Sequence, residues 1–202
     1  MKRKRLTREE SKDQTRQRLL DAAQVIFMKK GFVAASVEDI AEAAGYTRGA
    51  FYSNFRSKPE LFLELLRRDH EAMQADLNSL IEGKATQQEV EKRALLHYSH
   101  VHGDNEFFLL WVEAKLLAAR DARFRVRFNI FLRERLERLA AYIRECPARA
   151  GVPLPPETLA LGLMGLCDGI QLFYAIDPQN TTGNMAKSVL ADFFARVCSG
   201  IR

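Results

Sequence analysis

Cysteine is scarce and unpatterned in this chain of 202 residues. The three that occur, Cys146, Cys167 and Cys198, are odd in number, far apart and without a C-x-x-C spacing, which excludes a disulfide framework and a cysteine-based zinc site. A cysteine inside an apolar helix is ordinarily an inert small hydrophobe, so a redox-sensing role is not assigned. Long hydrophobic runs are missing too. The longest, Leu159 to Cys167, stops at Asp168 and is too short to span a bilayer, so no membrane partner is expected. There is no Gly-rich phosphate loop, no nucleophile elbow and no paired His and carboxylate motif, and no enzyme is expected. His97 and His100 lack an acidic or thiol partner at ligand spacing, so neither a metal nor a cofactor is expected. The basic N-terminus is not followed by an apolar core, which argues against a secretory signal and for a cytoplasmic protein.

What remains is an ordinary globular composition, 47% hydrophobic and 28% charged, in a chain long enough to bury a sizeable core. The charge is unevenly placed. Residues 1–58 hold 13 Lys/Arg and 7 Asp/Glu, for a net +6; residues 59–202 hold 18 and 19, for a net −1. Positive charge gathered in one segment is the electrostatic footprint of a protein that meets a phosphate backbone. Lys2, Arg3, Lys4 and Arg5 belong to a basic arm over residues 1–11, either reaching a minor groove or merely solvated.

The basic segment contains Ser36 to Lys58, SVEDIAEAAGYTRGAFYSNFRSK. Val37, Ile40, Ala41 and Ala44 recur at the spacing of one helical face, Ser36 stands where an N-cap belongs, and Glu38 and Asp39 oppose the positive end of the macrodipole. Gly45 ends that helix, and Thr47 is the N-cap candidate of a second, from Arg48 to about Asn54. Two short helices across a glycine-bearing turn form a helix-turn-helix. Phe51 and Phe55 turn inward, which leaves Arg48, Gly49, Ala50, Ser53 and Asn54 available to a major groove. The next helix starts near Ser57 and Pro59, placing Lys58 where a phosphate oxygen can be met.

This run, from Ser36 through Gly45, Thr47 to Phe55 and Ser57 to Leu61, resembles the DNA-binding region of the TetR family of transcriptional repressors. The resemblance covers roughly the first third of the chain; beyond it only length and helical character agree. It implies phosphate contacts from Ser36, Thr47, Tyr52, Asn54 and Lys58, and base contacts from Arg48, Gly49 and Ala50. Tyr46, Ala50 and Asn54 depart from the residues common in the family. For Tyr52 simple packing is the alternative to a phosphate contact.

Further helices are expected over about 11–30, 59–81, 86–101, 106–119, 121–145, 157–176 and 182–197, read from apolar periodicity and from punctuation by Gly31, Gly83, Gly103, Pro147 and Pro178. With the two above, the fold is all-α with about nine helices. A helix-turn-helix domain with its connecting helix is expected over 12–71, and a helical effector-binding and dimerisation domain over 72–202. Gly162, Gly165 and Gly169 are costly inside a helix, and close approach of a second backbone explains them. With Leu190, Phe193 and Phe194 they form a candidate homodimer interface, the alternative being a neighbour within the chain. Tyr98, Phe107, Trp111, Phe128 and Phe173 are candidate lining of a small-molecule pocket, with core packing as the competing explanation. The arginines from Arg120 to Arg138, interleaved with Glu134 and Glu137, read as a solvated helix face.

The expected function is that of a homodimeric regulator, repressor rather than activator, that binds inverted-repeat double-stranded DNA. An effector would favour heads spaced off the roughly 34–36 Å repeat of successive major grooves. The alternative is a helix-turn-helix that docks a protein or binds nucleic acid without ligand control.

Overall fold

A computed structural model describes residues 7–82, 105–145 and 154–181, together with 184, 185, 188, 189 and 192. Among the described residues there are seven helical elements of 7 residues or more and no strand: α1 Arg8–Ala34, α2 Val37–Ala43, α3 Arg48–Asn54, α4 Lys58–Glu82, α5 Asn105–Arg120, α6 Ala122–Glu145 and α7 Pro156–Ile176. The all-α class is as expected. The helix expected over 86–101 lies outside the described residues, and of that over 182–197 only 184, 185, 188, 189 and 192 are described, as helical.

Capping chemistry decides most boundaries. α1 begins earlier than the expected residue 11, because Thr7 Oγ1 accepts the Glu10 N–H at 3.1 Å while Glu10 accepts the Thr7 N–H at 2.6 Å. Ser36 and Asp39 repeat that reciprocal box on α2, at 3.0 and 2.9 Å. α2 ends in a Schellman turn: Tyr46 N–H bonds the Ala41 carbonyl, Gly45 N–H bonds that of Glu42, and Gly45 takes φ 74°. Asp121 caps α6 through the N–H groups of Arg123 and Phe124, at 2.8 and 2.9 Å.

The break in α1 has the largest consequences. Gly31 adopts φ 77° and ψ 162°, a region open in practice to glycine alone, so the regular helix stops there and the chain turns toward α2. Phe32 is thereby buried and stacks on Phe62 of α4 at 4.6 Å, with Phe27 against Phe62 at 5.2 Å in an edge arrangement and Phe124 stacked on Phe62 at 6.3 Å. Leu19, Leu20 and Ala23 of α1, Ile40 of α2, Phe51 of α3 and Leu61, Leu65 and Leu66 of α4 complete a dry core.

The chain divides into two compact units, Met1–Glu71 with Leu109–Arg125, and Ala72–Phe108 with Val126–Arg202. The first unit therefore contains more than the helix-turn-helix and its connecting helix, because the end of α5 and the start of α6 pack into it. In the second, Leu163 and Cys167 of α7 pack with Leu139, Leu166 and Ile170, and Arg144 pairs with Glu157. Burial pushes the Cys167 thiol up to about 12, the behaviour of an inert core cysteine.

α7 is long and apolar enough, by length and composition alone, to cross a bilayer. Its face holding Ala160, Leu163, Cys167 and Gln171 is nonetheless buried by protein, while Leu161, Leu172, Phe173 and Ile176 on other faces are exposed. The buried Gln171 is a polar group suited to a protein interior, not to lipid.

Replacing Gly31 by Ala forces a side chain into that backbone region and sets a Cβ 2.7 Å from Glu113 Oε1. A loss of about 1–3 kcal/mol in denaturant titration is expected for Gly31→Ala.

Candidate nucleic-acid interface

α3 is held by its buried side and exposed along the opposite one. Phe51 and, just past the helix, Phe55 are fully buried, whereas Thr47, Arg48, Gly49, Tyr52 and Ser53 are exposed and Ala50 and Asn54 half-buried. Thr47 Oγ1 caps the Ala50 N–H at 3.3 Å. The structure thus brings together the helix start and the residues expected to read bases.

Arg48 already has partners within the chain. Its guanidinium pairs with Glu38 of α2 at 2.9 Å and lies 5.5 Å from the centre of the Tyr52 ring. The Tyr52 hydroxyl and then the Glu38 charge push the Arg48 pKa above its ordinary value. Both partners are solvent-exposed, so the pair is weak and a phosphate or a base edge can replace it.

Gly49 is informative by what surrounds it. A Cβ there would meet only Thr47 Oγ1, at an ordinary 3.7 Å, and its φ is not positive. Neither packing nor backbone conformation within the chain requires glycine. The space is left toward solvent on the face where a groove would approach.

Other expected contacts fare differently. Ser36 accepts the Asp39 N–H and is half-buried at the start of α2. A hydrogen bond from Lys30, then the Ser36 backbone N–H, holds the Asp39 carboxyl well below the usual carboxylate range. Asn54 commits its amide donor to the Ala50 carbonyl at 2.8 Å and to Ser53 Oγ at 3.3 Å, which ties it to its own helix. The ammonium of Lys58, expected on a phosphate, is turned inward instead. It donates to the carbonyls of Phe32 and Ala35, each at 2.6 Å, and to that of Val33 at 3.4 Å, and sits 4.5 Å from the centre of the Phe32 ring. Burial pushes its pKa down from the ordinary lysine value, opposed by the charges of Glu113 and Asp39.

Two residues that hold this site were missed in the sequence. Arg16 of α1 bonds the last carbonyl of α3, Asn54 O, at 2.7 Å and pairs with Glu64 of α4 at 2.9 Å. Glu113 of α5 accepts the Phe32 N–H at 2.5 Å, the donor released when α1 breaks at Gly31. Each carried a faint signal: Arg16 continues the apolar stripe of Leu19, Leu20 and Ala23, and Glu113 is the sole acidic residue in the run from Phe107 to Ala119.

The body candidates differ in burial. Phe107, Trp111 and Phe128 are buried, with Trp111 Nε1 donating to Asp69 at 3.0 Å, but Phe173 is 68% exposed and is not enclosed as a pocket residue would be. Tyr98, His97 and His100, the cysteines 146 and 198, and Leu190, Phe193 and Phe194 lie outside the described residues. Gly162, Gly165 and Gly169 have no atom within 4 Å of an added Cβ, so among the described residues no neighbour explains them. No group of three metal-ligating side chains occurs among the described residues.

Comparison with known proteins gives two family matches. Residues 19–65 match the family model described as "Bacterial regulatory proteins, tetR family", and residues 92–199 match "BetI-type transcriptional repressor, C-terminal". The regulator TtgR of Pseudomonas putida is 45% identical over 67 residues, 33% of this chain and 31% of its own. The chain thus spans about a third of the length of the curated relatives it matches. Among solved structures, a putative TetR-family regulator from Rhodococcus sp. has a TM-score of 0.76 at 20% identity, over 92% of this chain and 99% of its own. FadR of Bacillus subtilis, in complex with stearoyl-CoA, has a TM-score of 0.74 at 20% identity, again over 92% and 99%. At such identity the likeness is one of fold.

Lys58→Met removes the donor from three carbonyls and should cost about 1–2 kcal/mol in denaturant titration. A phosphate contact by Lys58 would in addition lower the slope of log affinity against log salt by about one unit in the same variant.

Proposed function

Because this chain belongs to the TetR family of bacterial regulatory proteins, we propose that it is a DNA-binding transcriptional regulator, a homodimeric repressor that leaves an inverted-repeat operator when a small molecule binds its body. Such a role places it in the cytoplasm. The observation that carries the reading is the start of α3, where Thr47, Arg48, Gly49 and Tyr52 are exposed on a short helix buried only along its other side. A helix of seven residues reads too few bases alone, and two copies on half-sites one helical turn apart meet that need. Arg48, Gly49 and Ala50 face bases in this reading, and Ser36, Thr47, Tyr52 and Ser53 face phosphates; Lys58 and Asn54 support the site from behind.

The surface proposed to pair two chains is the exposed side of α7. Leu161, Phe173 and Ile176 are 61%, 68% and 73% exposed, and the open glycines Gly162, Gly165 and Gly169 permit a close helix approach. For the effector we propose a molecule with a substantial apolar part, met by aromatic side chains of the body such as Phe107 and Phe128. FadR, whose ligand is stearoyl-CoA, supports that class. An effector shifts the balance only by its difference in affinity for the DNA-competent and DNA-incompetent forms.

Selection of bound sequences from a random duplex library, at two salt concentrations, tests the reading. Enrichment of an inverted repeat supports it; salt-insensitive binding or none would overturn it in favour of protein docking. Arg48→Ala is expected to relax base preference. Gly49→Ala should raise stability by about 0.5–1 kcal/mol while weakening operator binding, because the added methyl occupies space kept for DNA. Phe173→Glu should yield monomers in sedimentation and lower operator affinity, leaving helicity unchanged.

A further inference from the structure

The recognition helix α3 is only two turns long, and its capped start is the end that must meet DNA. Phe51 anchors its middle and Phe55 follows just past its end, and apolar anchors fix position better than rotation about the helix axis. Helix C-termini leave carbonyls unpaired and carry negative partial charge, which a cation with donors can satisfy. Here the last carbonyl, that of Asn54, receives Arg16 Nη1 at 2.7 Å. The same guanidinium bonds Glu64 of α4 through Nη2 at 2.9 Å and lies over the Phe55 ring, 4.2 Å from its centre.

Three elements therefore meet on one planar group: α1 supplies the arginine, α3 its final carbonyl and α4 the carboxylate. Only a guanidinium can use two edges and a face at once; an ammonium lacks the plane and the fork. The group is half-buried and engaged with Asn54 O, Glu64 and Phe55 within the chain.

We infer that Arg16 is a positioning residue for sequence recognition, fixing the orientation of α3 so that Arg48, Gly49 and Ala50 present to base edges in one register. Without it α3 retains its cap, the buried Phe51 and Phe55 and its charge, but loses the polar tie between its last carbonyl and α4. Small displacements at the C-terminal turn reappear at the N-terminal residues, because the helix is a rigid rod of about 1.5 Å per residue. Base readout needs that register, while phosphate attraction tolerates its loss.

This inference rests on the DNA-binding reading, and the experiment separates the two. Full-length protein is compared on its selected operator and on random duplex, with thermal melting and circular dichroism alongside. The double variant Arg16→Met with Glu64→Gln removes both charges, so the net charge is unchanged. Its operator affinity is expected to fall about tenfold with random-duplex affinity and salt slope within about twofold of wild type. Glu64→Met alone, which keeps the cap on Asn54 but removes the acceptor on α4, should lose about threefold in the same ratio, and decides the matter if the double variant does not fold. Arg16→Lys should recover part of the ratio and not all of it. Equal loss on both duplexes, or an unchanged ratio in folded variants, overturns the inference while the functional reading stands. Absence of sequence preference in the wild type overturns both.

Discussion

A helix forced to turn sharply leaves backbone donors and acceptors without helical partners, and buried ones must be answered from elsewhere. At the Gly31 break the answer comes from two distant parts of the chain. A carboxylate on α5 takes the Phe32 N–H, and an ammonium on α4 takes three carbonyls between Phe32 and Ala35. The residue that follows is Ser36, the cap of α2, so the start of the helix-turn-helix is located by these bonds and by the stacking of Phe32 on Phe62. An ammonium surrounded by carbonyls has an evident structural duty. That duty accounts for the inward bonds of Lys58, which the resemblance placed among the phosphate contacts.

Electrostatics on the opposite, exposed side follows another logic. There the charges are paired loosely, as Arg48 with Glu38, and each partner stays hydrated. Loose pairing keeps a mobile arginine in one neighbourhood without a large desolvation penalty on release. The head thus separates two kinds of cation: those whose partners include backbone carbonyls, and those whose partners can be exchanged.

Much of this was legible in the residues. The caps Ser36, Thr47 and Asp121, the terminator Gly45 and the inward Phe51 and Phe55 are local chemistry, and local chemistry leaves its mark within a few positions. What stayed hidden was long-range. Nothing within four residues of Glu113 or Arg16 reveals that their partners lie 81 and 38 positions away. Nor does periodicity separate the faces of α7: Phe173 belongs to an apolar helix whether it points to a cavity or to water. The early start of α1 was missed for a simpler reason, since Thr7 and Glu10 form a capping box inside a stretch dominated by charge.

The composition of the first compact unit bears on modularity. Its head is assembled from two separated stretches, residues up to Glu71 and the span Leu109–Arg125, the second supplying Glu113 and Phe124. A chimaera made by grafting only the first stretch onto a foreign sensor would carry the reading helix but not the carboxylate that closes the α1 corner. It would also expose one flank of Phe62. Transplantable units in this chain are therefore not contiguous segments, and a working exchange has to move α5 and the first turn of α6 with the head. During synthesis the same discontinuity means that α1 to α4 emerge well before the residues that complete their core.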